Sequence, residues 1–156
     1  MIEKKGLDEI IKALPLFEGL DDRYVKLVAG CASNVRFEAG EMMFREGETS
    51  ETFYAIRHGK VGIEIFVPQR GAMTIQTLGQ GDLIGLSWLF PPYRWSWRAR
   101  ALDDTDVVAF DAARVRAECE SDPHLELEVL RIVSAQAVAR LHSSRTQLLD
   151  LYEFPR

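Results

Sequence analysis

The stretch VRFEAGEMMFREGETSETFYAIRHGKVGI, Val35 to Ile63, decides the fold. Apolar and polar residues alternate along much of it, which is the period of a strand with one buried face. Glycines at positions 40, 47 and 59 interrupt the alternation and mark turns. The segments on either side of His58-Gly59 are expected to pair as a hairpin. The stretch therefore predicts short antiparallel strands joined by tight turns.

The same pattern continues beyond this stretch and is bordered by helices. Further glycines follow at short intervals, and DVVAFDA, Asp106 to Ala112, is one more predicted strand. Ahead of the strands, apolar residues at helical spacing precede Pro15, and a second short helix comes after it. We predict a mainly β fold with flanking helices, an antiparallel β-roll or jelly roll of the double-stranded β-helix type.

The C-terminal part of the chain predicts one long helix from about Pro123 to Tyr152, because no Gly or Pro interrupts it. We divide the chain into 1–120, the roll with its N-terminal helices, and 121–156, the C-terminal helix. Small and apolar residues repeat along the helix at alternating three- and four-residue steps. This seam consists of Leu127, Leu130, Ser134, Ala137, Leu141, Ser144, Leu148 and Leu151.

A heptad seam of this kind favours a parallel helix pair between two copies of the chain. The predicted homodimer interface consists of Leu127, Leu130, Ala137, Leu141 and Leu148. The alternative is a single amphipathic helix that packs on its own roll.

Composition and charge narrow the classes of function. The 156 residues carry a formal net charge of −5, with a pI near 5.3. This argues against direct binding of DNA or RNA, since proteins that bind nucleic acids need a basic face. No apolar run reaches the roughly 18 residues of a membrane span, and the N-terminus lacks a signal-peptide core. We expect a cytoplasmic protein without membrane contact.

Residue types that carry catalysis or bind metals are scattered. His58, His124 and His142 form no HxH pair, and no spacing typical of a Ser–His–Asp or Cys–His site is present. Cys31 and Cys119 have no CxxC context and are expected to be buried, reduced thiols, with a bridge between them as the alternative. We expect neither an enzyme nor a metal site.

Three segments resemble a known family: LPLFEGLDD (Leu14–Asp22), the Val35–Ile63 stretch, and GQGDLIG (Gly79–Gly85). They are similar to the cyclic-nucleotide-binding domain of the catabolite-activator (Crp/Fnr) superfamily, and glycines 40, 47 and 59 match its fixed turn positions. The resemblance covers nearly the whole chain. It implies a β-roll, a dimerisation helix at the C-terminus, and a phosphate-binding cassette after Gly85.

The implied cassette departs from the family pattern at two positions. Leu86 stands where the family places a Glu for the ribose, and Trp95 stands where it places an Arg for the phosphate, next to the matching Ser96. Arg94 or Arg98 would then bind the anion, and the C-terminal helix would add a serine. The predicted ligand-binding residues are Gly85, Leu86, Ser87, Arg94, Trp95, Ser96, Arg98 and Ser144.

All three tryptophans lie in WLFPPYRWSWRARAL, Trp88 to Leu102. Three interpretations remain open. The tryptophans fill the interior of the roll; or they wall a pocket for a different ligand, whose anion pairs with Arg94 or Arg98; or they form an exposed surface that docks a partner.

These features suggest two functions. The first is a stand-alone, homodimeric sensor domain that binds a small anion such as cyclic AMP, with no other cofactor, and signals through its C-terminal helix to an unknown protein partner. No helix-turn-helix follows, so direct DNA binding is not expected. The alternative is a ligandless scaffold that docks a protein through its Trp/Arg-rich segment. A sensor needs Arg94 or Arg98 beside Ser96 with free volume, whereas Trp95 or Leu86 would fill that volume in a scaffold.

Overall fold

The computed structural model describes residues 6–152. Within this range four α-helices and eight strands follow one another. The helices are α1 (Leu7–Ala13), α2 (Asp22–Ala29), α3 (Ala112–Ser121) and α4 (Pro123–Tyr152). The strands are β1 (Ala32–Phe37), β2 (Met42–Phe44), β3 (Thr52–His58), β4 (Val61–Val67), β5 (Gly71–Leu78), β6 (Leu83–Ile84), β7 (Arg98–Ala101) and β8 (Thr105–Asp111).

The strands form two four-stranded sheets. The order is β1-β8-β3-β6 in the first sheet and β2-β7-β4-β5 in the second. All pairs are antiparallel. Residues from both sheets and all four helices belong to one buried cluster. The predicted roll with flanking helices is therefore confirmed, and the predicted strand at Asp106–Ala112 is β8, shifted by one residue.

The predicted hairpin across His58-Gly59 is wrong. β3 pairs with β8 and β6, whereas β4 pairs with β5 and β7, so the two strands lie in different sheets. Gly59 has a φ of +111°, and a β-carbon there would overlap Thr105 at the start of β8. The turn therefore carries the chain closely past β8 from one sheet to the other. Alternation and a turn glycine identify two strands, but the pairing depends on which faces are buried.

Aromatic rings stack in the core between the roll and the helices. The Phe53 ring centroid lies 3.9 Å from that of Trp88 and 4.8 Å from that of Phe110, with nearly parallel planes. Trp88 is almost completely buried. The first of the three tryptophans is thus a core residue. Cys31 and Cys119 are free and buried, as expected for reduced thiols.

Helix α4 has two different faces. Leu125, Val129 and Val133 are buried in the core cluster. The seam looks outward: Leu127 and Leu148 are 45% and 52% exposed. The helix therefore packs on its own roll through its first half, and its leucine seam remains uncovered in the single chain. The homodimer stays a prediction.

Candidate ligand-binding site

The chain turns sharply at the end of β6. Gly85 has a φ of +88°, and Ser87–Leu89 form a short 3-10 turn directly after Leu86. A β-carbon at Gly85 would overlap the Cη2 and Cζ3 atoms of Trp95. Glycine is required here because both the left-handed backbone and the adjacent indole exclude a side chain. We call the residues from Gly85 to Ser96 the cassette turn.

A cavity of about 390 Å³ lies between the cassette turn, the second sheet and α4. Its volume is at the lower end of the range for small-molecule sites, about 300–1,000 Å³. Most of its wall is apolar and comes from Phe44, Ile63, Ile75, Leu86, Trp95, Trp97, Ala137 and Leu141. The polar side chains in the wall are those of Gln76, Ser87, Ser96, Arg140 and Ser144.

Trp95 closes one end of this cavity. Its ring centroid lies 4.0 Å from that of Phe44, with planes 17° apart, and both residues are buried. Its backbone N–H donates to the carbonyl of Glu48 (2.9 Å), and its carbonyl accepts from the N–H of Gly47 (2.8 Å). Packing and backbone hydrogen bonds thus hold the indole against Gly85. The glycine end of the cassette turn is covered by an aromatic ring.

Arg140, on α4, is the charged side chain of the cavity wall. Its Nε and Nη2 are buried and have no hydrogen-bond partner among the described residues. Burial lowers the pKa of the Arg140 guanidinium to about 10, and the Asp82 carboxylate opposes this effect. A group with this pKa remains protonated at neutral pH. The cavity therefore contains a buried positive charge whose two nitrogens face no acceptor.

A second side chain of α4 ties the helix to the edge of the first sheet. The Oε1 atom of Gln136 accepts a hydrogen bond from the backbone N–H of Leu83, 3.1 Å away. Leu83 belongs to β6, the strand that leads into Gly85. Because Arg140 follows Gln136 by about one helical turn, the helix contacts both the edge strand and the cavity. The position of α4 is linked to the start of the cassette turn.

The structure brings together most of the predicted ligand-binding residues. Gly85, Leu86, Ser87, Trp95, Ser96 and Ser144 all line the cavity. Trp97 also lines it and is 49% exposed. Of the three tryptophans, one therefore belongs to the core, one is a buried wall residue, and one lies at the solvent-exposed part of the wall.

The two predicted anion-binding arginines do not line this cavity, but Arg94 lines a neighbouring cavity of about 250 Å³ together with Ser87 and Ser96. The Nη1 atom of Arg94 donates to the carbonyl of Gly47 at 2.8 Å. The Nε atom of Arg98 lies 3.1 Å from Oε1 of the buried Glu64. Side chains alternate along β7, so the fully buried Ala99 points into the roll and its neighbour Arg98 points out. Neither arginine is part of the cavity wall.

Sequence analysis missed Arg140, although α4 contains a pattern that indicates it. The buried residues Leu125, Val129 and Val133 are continued at helical spacing by Gln136 and Arg140. When a row of apolar residues at helical spacing ends in a cationic residue, the row indicates that the cation lies on the buried face of the helix. The more regular leucine seam, which shares Ala137, Leu141 and Ser144 with the cavity wall, favours dimerisation instead.

Two further classes of site are not found in the described part of the chain. Within residues 6–152, no three His, Cys, Asp or Glu side chains are grouped as a metal ion would require. Over the same residues, the helices are too short or too polar to cross a bilayer.

Comparison with known proteins identifies the family of this chain. The family model described as "Cyclic nucleotide-binding domain" matches residues 34–122, more than half of the chain. The CRP-like cAMP-activated global transcriptional regulator of Mycobacterium tuberculosis is 25% identical over 145 residues, which cover 93% of this chain and 63% of the regulator. The cAMP-dependent protein kinase regulatory subunit of Eremothecium gossypii is 32% identical over 78 residues, 50% of this chain and 16% of the subunit.

The chain thus spans less than two thirds of the length of these two relatives. A solved structure of a candidate cyclic nucleotide-binding protein from Geobacter metallireducens has the same fold. It gives a TM-score of 0.78 at 27% identity, covering 91% of this chain and all of the other. The roll, the cassette turn after β6 and the matching family model agree, and the chain belongs to the cyclic nucleotide-binding domain family.

Proposed function

We propose that this protein is a regulatory domain that binds a small anionic effector in the cavity between the cassette turn and α4. The observation that carries the proposal is Arg140, whose buried Nε and Nη2 have no hydrogen-bond partner within residues 6–152. Leaving a buried donor unpaired costs about 1–3 kcal/mol, and more when the group is charged. An anion bound against these nitrogens would remove that cost.

The free volume of the cavity favours a sensor over a ligandless scaffold. Trp95 and Leu86 both line the cavity, yet about 390 Å³ remains beside them. Arg94 donates a hydrogen bond to the carbonyl of Gly47, and Arg98 forms an ion pair with Glu64. In this proposal Arg140 takes the role expected of them and supplies the positive charge from the helix rather than from the cassette turn.

Cyclic AMP is the first effector to test, because the M. tuberculosis relative is described as cAMP-activated. Leu86 and Trp95 occupy the positions at which the family resemblance implies a carboxylate and an arginine. A hydrogen bond to a charged group contributes about 1.5–3 kcal/mol, so losing two of them weakens binding by about 100-fold or more. Affinity for cyclic AMP is expected to be low.

The signal would pass through α4. A ligand in the cavity would touch the helix at Arg140 and Ser144 and the roll at Ser87 and Ser96. A ligand that contacts two bodies at once favours the arrangement in which both sets of contacts are made. The exposed leucine seam then presents this arrangement to a second copy of the chain, and through the dimer to a protein partner.

A thermal-shift screen tests the proposal with cyclic AMP, cyclic GMP and a series of aromatic and aliphatic carboxylates. Wild type is compared with Arg140→Gln, and with Arg145→Gln as the matched control, because Arg145 is an exposed arginine on the same helix. At least one anion should stabilise wild type and the control, with affinity at least tenfold weaker in Arg140→Gln. Silence from every anion would favour the scaffold, whereas equal binding by Arg140→Gln would overturn Arg140 as the anion-binding group.

A further inference from the structure

The walls of the cavity restrict the chemical class of the effector. Resting on the function proposed above, we infer that the ligand is a monocarboxylate with a compact apolar body, for which cyclic nucleotides are poor substitutes. Charge, wall composition and the position of Trp95 each support this assignment.

The charge of the site calls for a single anionic group with two oxygens in one plane. Nε and Nη2 form one edge of the planar guanidinium of Arg140, and both are buried with no hydrogen-bond partner in the described part of the chain. A carboxylate accepts two parallel hydrogen bonds from such an edge. Among the described residues that line the cavity, Arg140 is the one ionised side chain, so a second charge on the ligand would find no counter-charge there.

The remaining wall is suited to an apolar body. Phe44 and Trp95 present a stacked aromatic pair, and Ile63, Leu86 and Leu141 add aliphatic surface. Burial of apolar ligand surface against these side chains is the main source of binding free energy in small pockets. A flat or compact hydrocarbon body therefore complements most of the cavity surface.

A nucleoside matches this wall poorly. Its ribose hydroxyl and its base carry donors and acceptors that must be paired once they leave water. No acidic side chain is found among the described residues of the cavity wall, and the residue after Gly85 is the apolar Leu86. The side chains of Gln76, Ser87, Ser96 and Ser144 accommodate a few polar substituents, but none of them replaces the carboxylate that would accept from a ribose hydroxyl.

Trp95 also determines where the anion binds. Its indole covers Gly85 so closely that not even a β-carbon would fit there. The indole therefore occupies the space directly beside Gly85, at the start of the cassette turn. The charged donor in the cavity wall is Arg140, so the anion is placed on the helix side.

The test is a titration with 1-naphthoate, indole-3-acetate and octanoate, compared with 1-naphthamide and cyclic AMP. The amide has the same body as 1-naphthoate without its charge. At least one carboxylate should bind at least tenfold more tightly than cyclic AMP, and 1-naphthoate at least tenfold more tightly than 1-naphthamide. Arg140→Gln should lose at least tenfold in carboxylate affinity, and Arg145→Gln should bind as wild type does.

Indole N–H signals in an NMR spectrum locate the bound carboxylate. Trp95 and Trp97 line the cavity, whereas Trp88 stacks on Phe53 in the core. Their signals are assigned from single Trp→Phe variants. The Trp95 and Trp97 signals should shift on titration with a carboxylate, and the Trp88 signal should not. Because Trp88 lies in the core, an unchanged Trp88 signal in a variant also shows that the variant is folded.

The outcomes separate this inference from the proposed function. Arg140-dependent binding of cyclic AMP that is tighter than that of every carboxylate would leave the proposed function standing and overturn the carboxylate assignment. Equal affinities for 1-naphthoate and its amide would overturn the assignment of the anion to Arg140. Absence of binding by all probes at millimolar concentration would overturn both.

Discussion

Trp95 and Arg140 line the same cavity but are expected to have opposite effects on the stability of the protein. The indole is stacked on Phe44 and held by backbone hydrogen bonds, so it stabilises the fold while it shapes the wall. The guanidinium of Arg140 has two buried nitrogens without a hydrogen-bond partner among the described residues, so it is expected to destabilise the ligand-free protein. Substitutions at the two ends of the cavity should therefore have opposite effects on stability.

Gly85→Ala should lower the free energy of unfolding by about 2–4 kcal/mol, because it adds backbone strain at positive φ and overlap with Trp95. Gly79→Ala is the matched control. A β-carbon at Gly79 would meet no heavy atom within 4 Å, so the loss there should stay below about 1 kcal/mol. Urea unfolding measures both, and equal losses would show that the Trp95 contact does not restrict Gly85.

Arg140→Met should raise the free energy of unfolding of the ligand-free protein by about 1–3 kcal/mol, because it removes two buried donor nitrogens that have no hydrogen-bond partner among the described residues. Arg145→Met changes an exposed residue of the same helix and should alter stability by less than about 0.5 kcal/mol. Chemical denaturation at neutral pH measures the difference. A loss of stability in Arg140→Met would mean that the guanidinium already has a favourable partner.

Helix α4 makes different contacts along its length. Leu125, Val129 and Val133 fix its first half in the core. Gln136 and Arg140 then connect it to β6 and to the cavity. Beyond this point every residue from Leu141 to Tyr152 is exposed. The same element is therefore held by the roll in its first half and lines the cavity further along, where Ala137, Leu141 and Ser144 belong both to the seam and to the cavity wall.

Gln136→Met should show how much the hydrogen bond between α4 and the edge strand β6 contributes to local stability. The variant removes the acceptor of the Leu83 N–H, and an unpaired buried backbone donor costs about 1–3 kcal/mol. Hydrogen exchange should show faster exchange of the Leu83 amide, with little change in the amides of β8. Gln147→Met, on the exposed part of the helix, is the control and should leave exchange at Leu83 unchanged.

Leu148→Glu should weaken self-association of the protein at least tenfold in sedimentation equilibrium. Leu148 is 52% exposed and lies on the seam, and burial of a leucine in a dimer contributes about 1.5–3 kcal/mol. Leu149→Glu makes the same change one residue away, at a more exposed position off the seam, and should have a smaller effect. A monomeric wild type, or equal effects of both variants, would contradict the seam as the interface.

At the scale of the whole molecule, the N-terminal helices are tied to the junction between α3 and α4. The hydroxyl of Tyr24, on α2, donates to Oδ2 of Asp122 (2.9 Å) and accepts from Nη2 of Arg23 (3.0 Å). The ring of Tyr24 lies 5.6 Å from that of His124. Asp122 also caps α4 by accepting from the N–H of His124 at 3.0 Å. A movement of α4 that reaches its N-terminus would therefore be transmitted to α2 through these contacts.

Ionisation of the buried Cys119 thiol should lower the free energy of unfolding at alkaline pH. Burial, with nearby carboxylates adding to it, raises the pKa of Cys119 to about 11, from 9.0. The folded state then holds the proton more tightly than the unfolded state, so this stabilisation is complete below pH 9 and is lost as the pH rises toward 11. The difference in free energy of unfolding between wild type and Cys119→Ala should shrink from pH 8 to pH 10.5 in urea titrations. Parallel curves for the two proteins would contradict this.

Part of the candidate site could be predicted from the sequence and part could not. Gly85, Leu86 and Ser96 were found because turn glycines and the family resemblance fix positions along the chain. Arg94 or Arg98 was expected beside Ser96; β7 points Arg98 outward, and Arg94 donates to Gly47 and lines a neighbouring cavity with Ser96. The direction of a side chain depends on strand register and on partners distant in sequence, which local patterns do not contain.

The sequence by itself determined the class of fold, the long C-terminal helix, the family and the place of the cassette turn. These properties are local, because the periods of strands and helices and the glycines at turns are written in neighbouring residues. Only the tertiary structure decided that β3 and β4 lie in different sheets, that Trp95 covers Gly85, and that Arg140 supplies the charge of the cavity. Each of these depends on which surfaces of distant segments are buried against one another, and burial is a property of the folded chain as a whole.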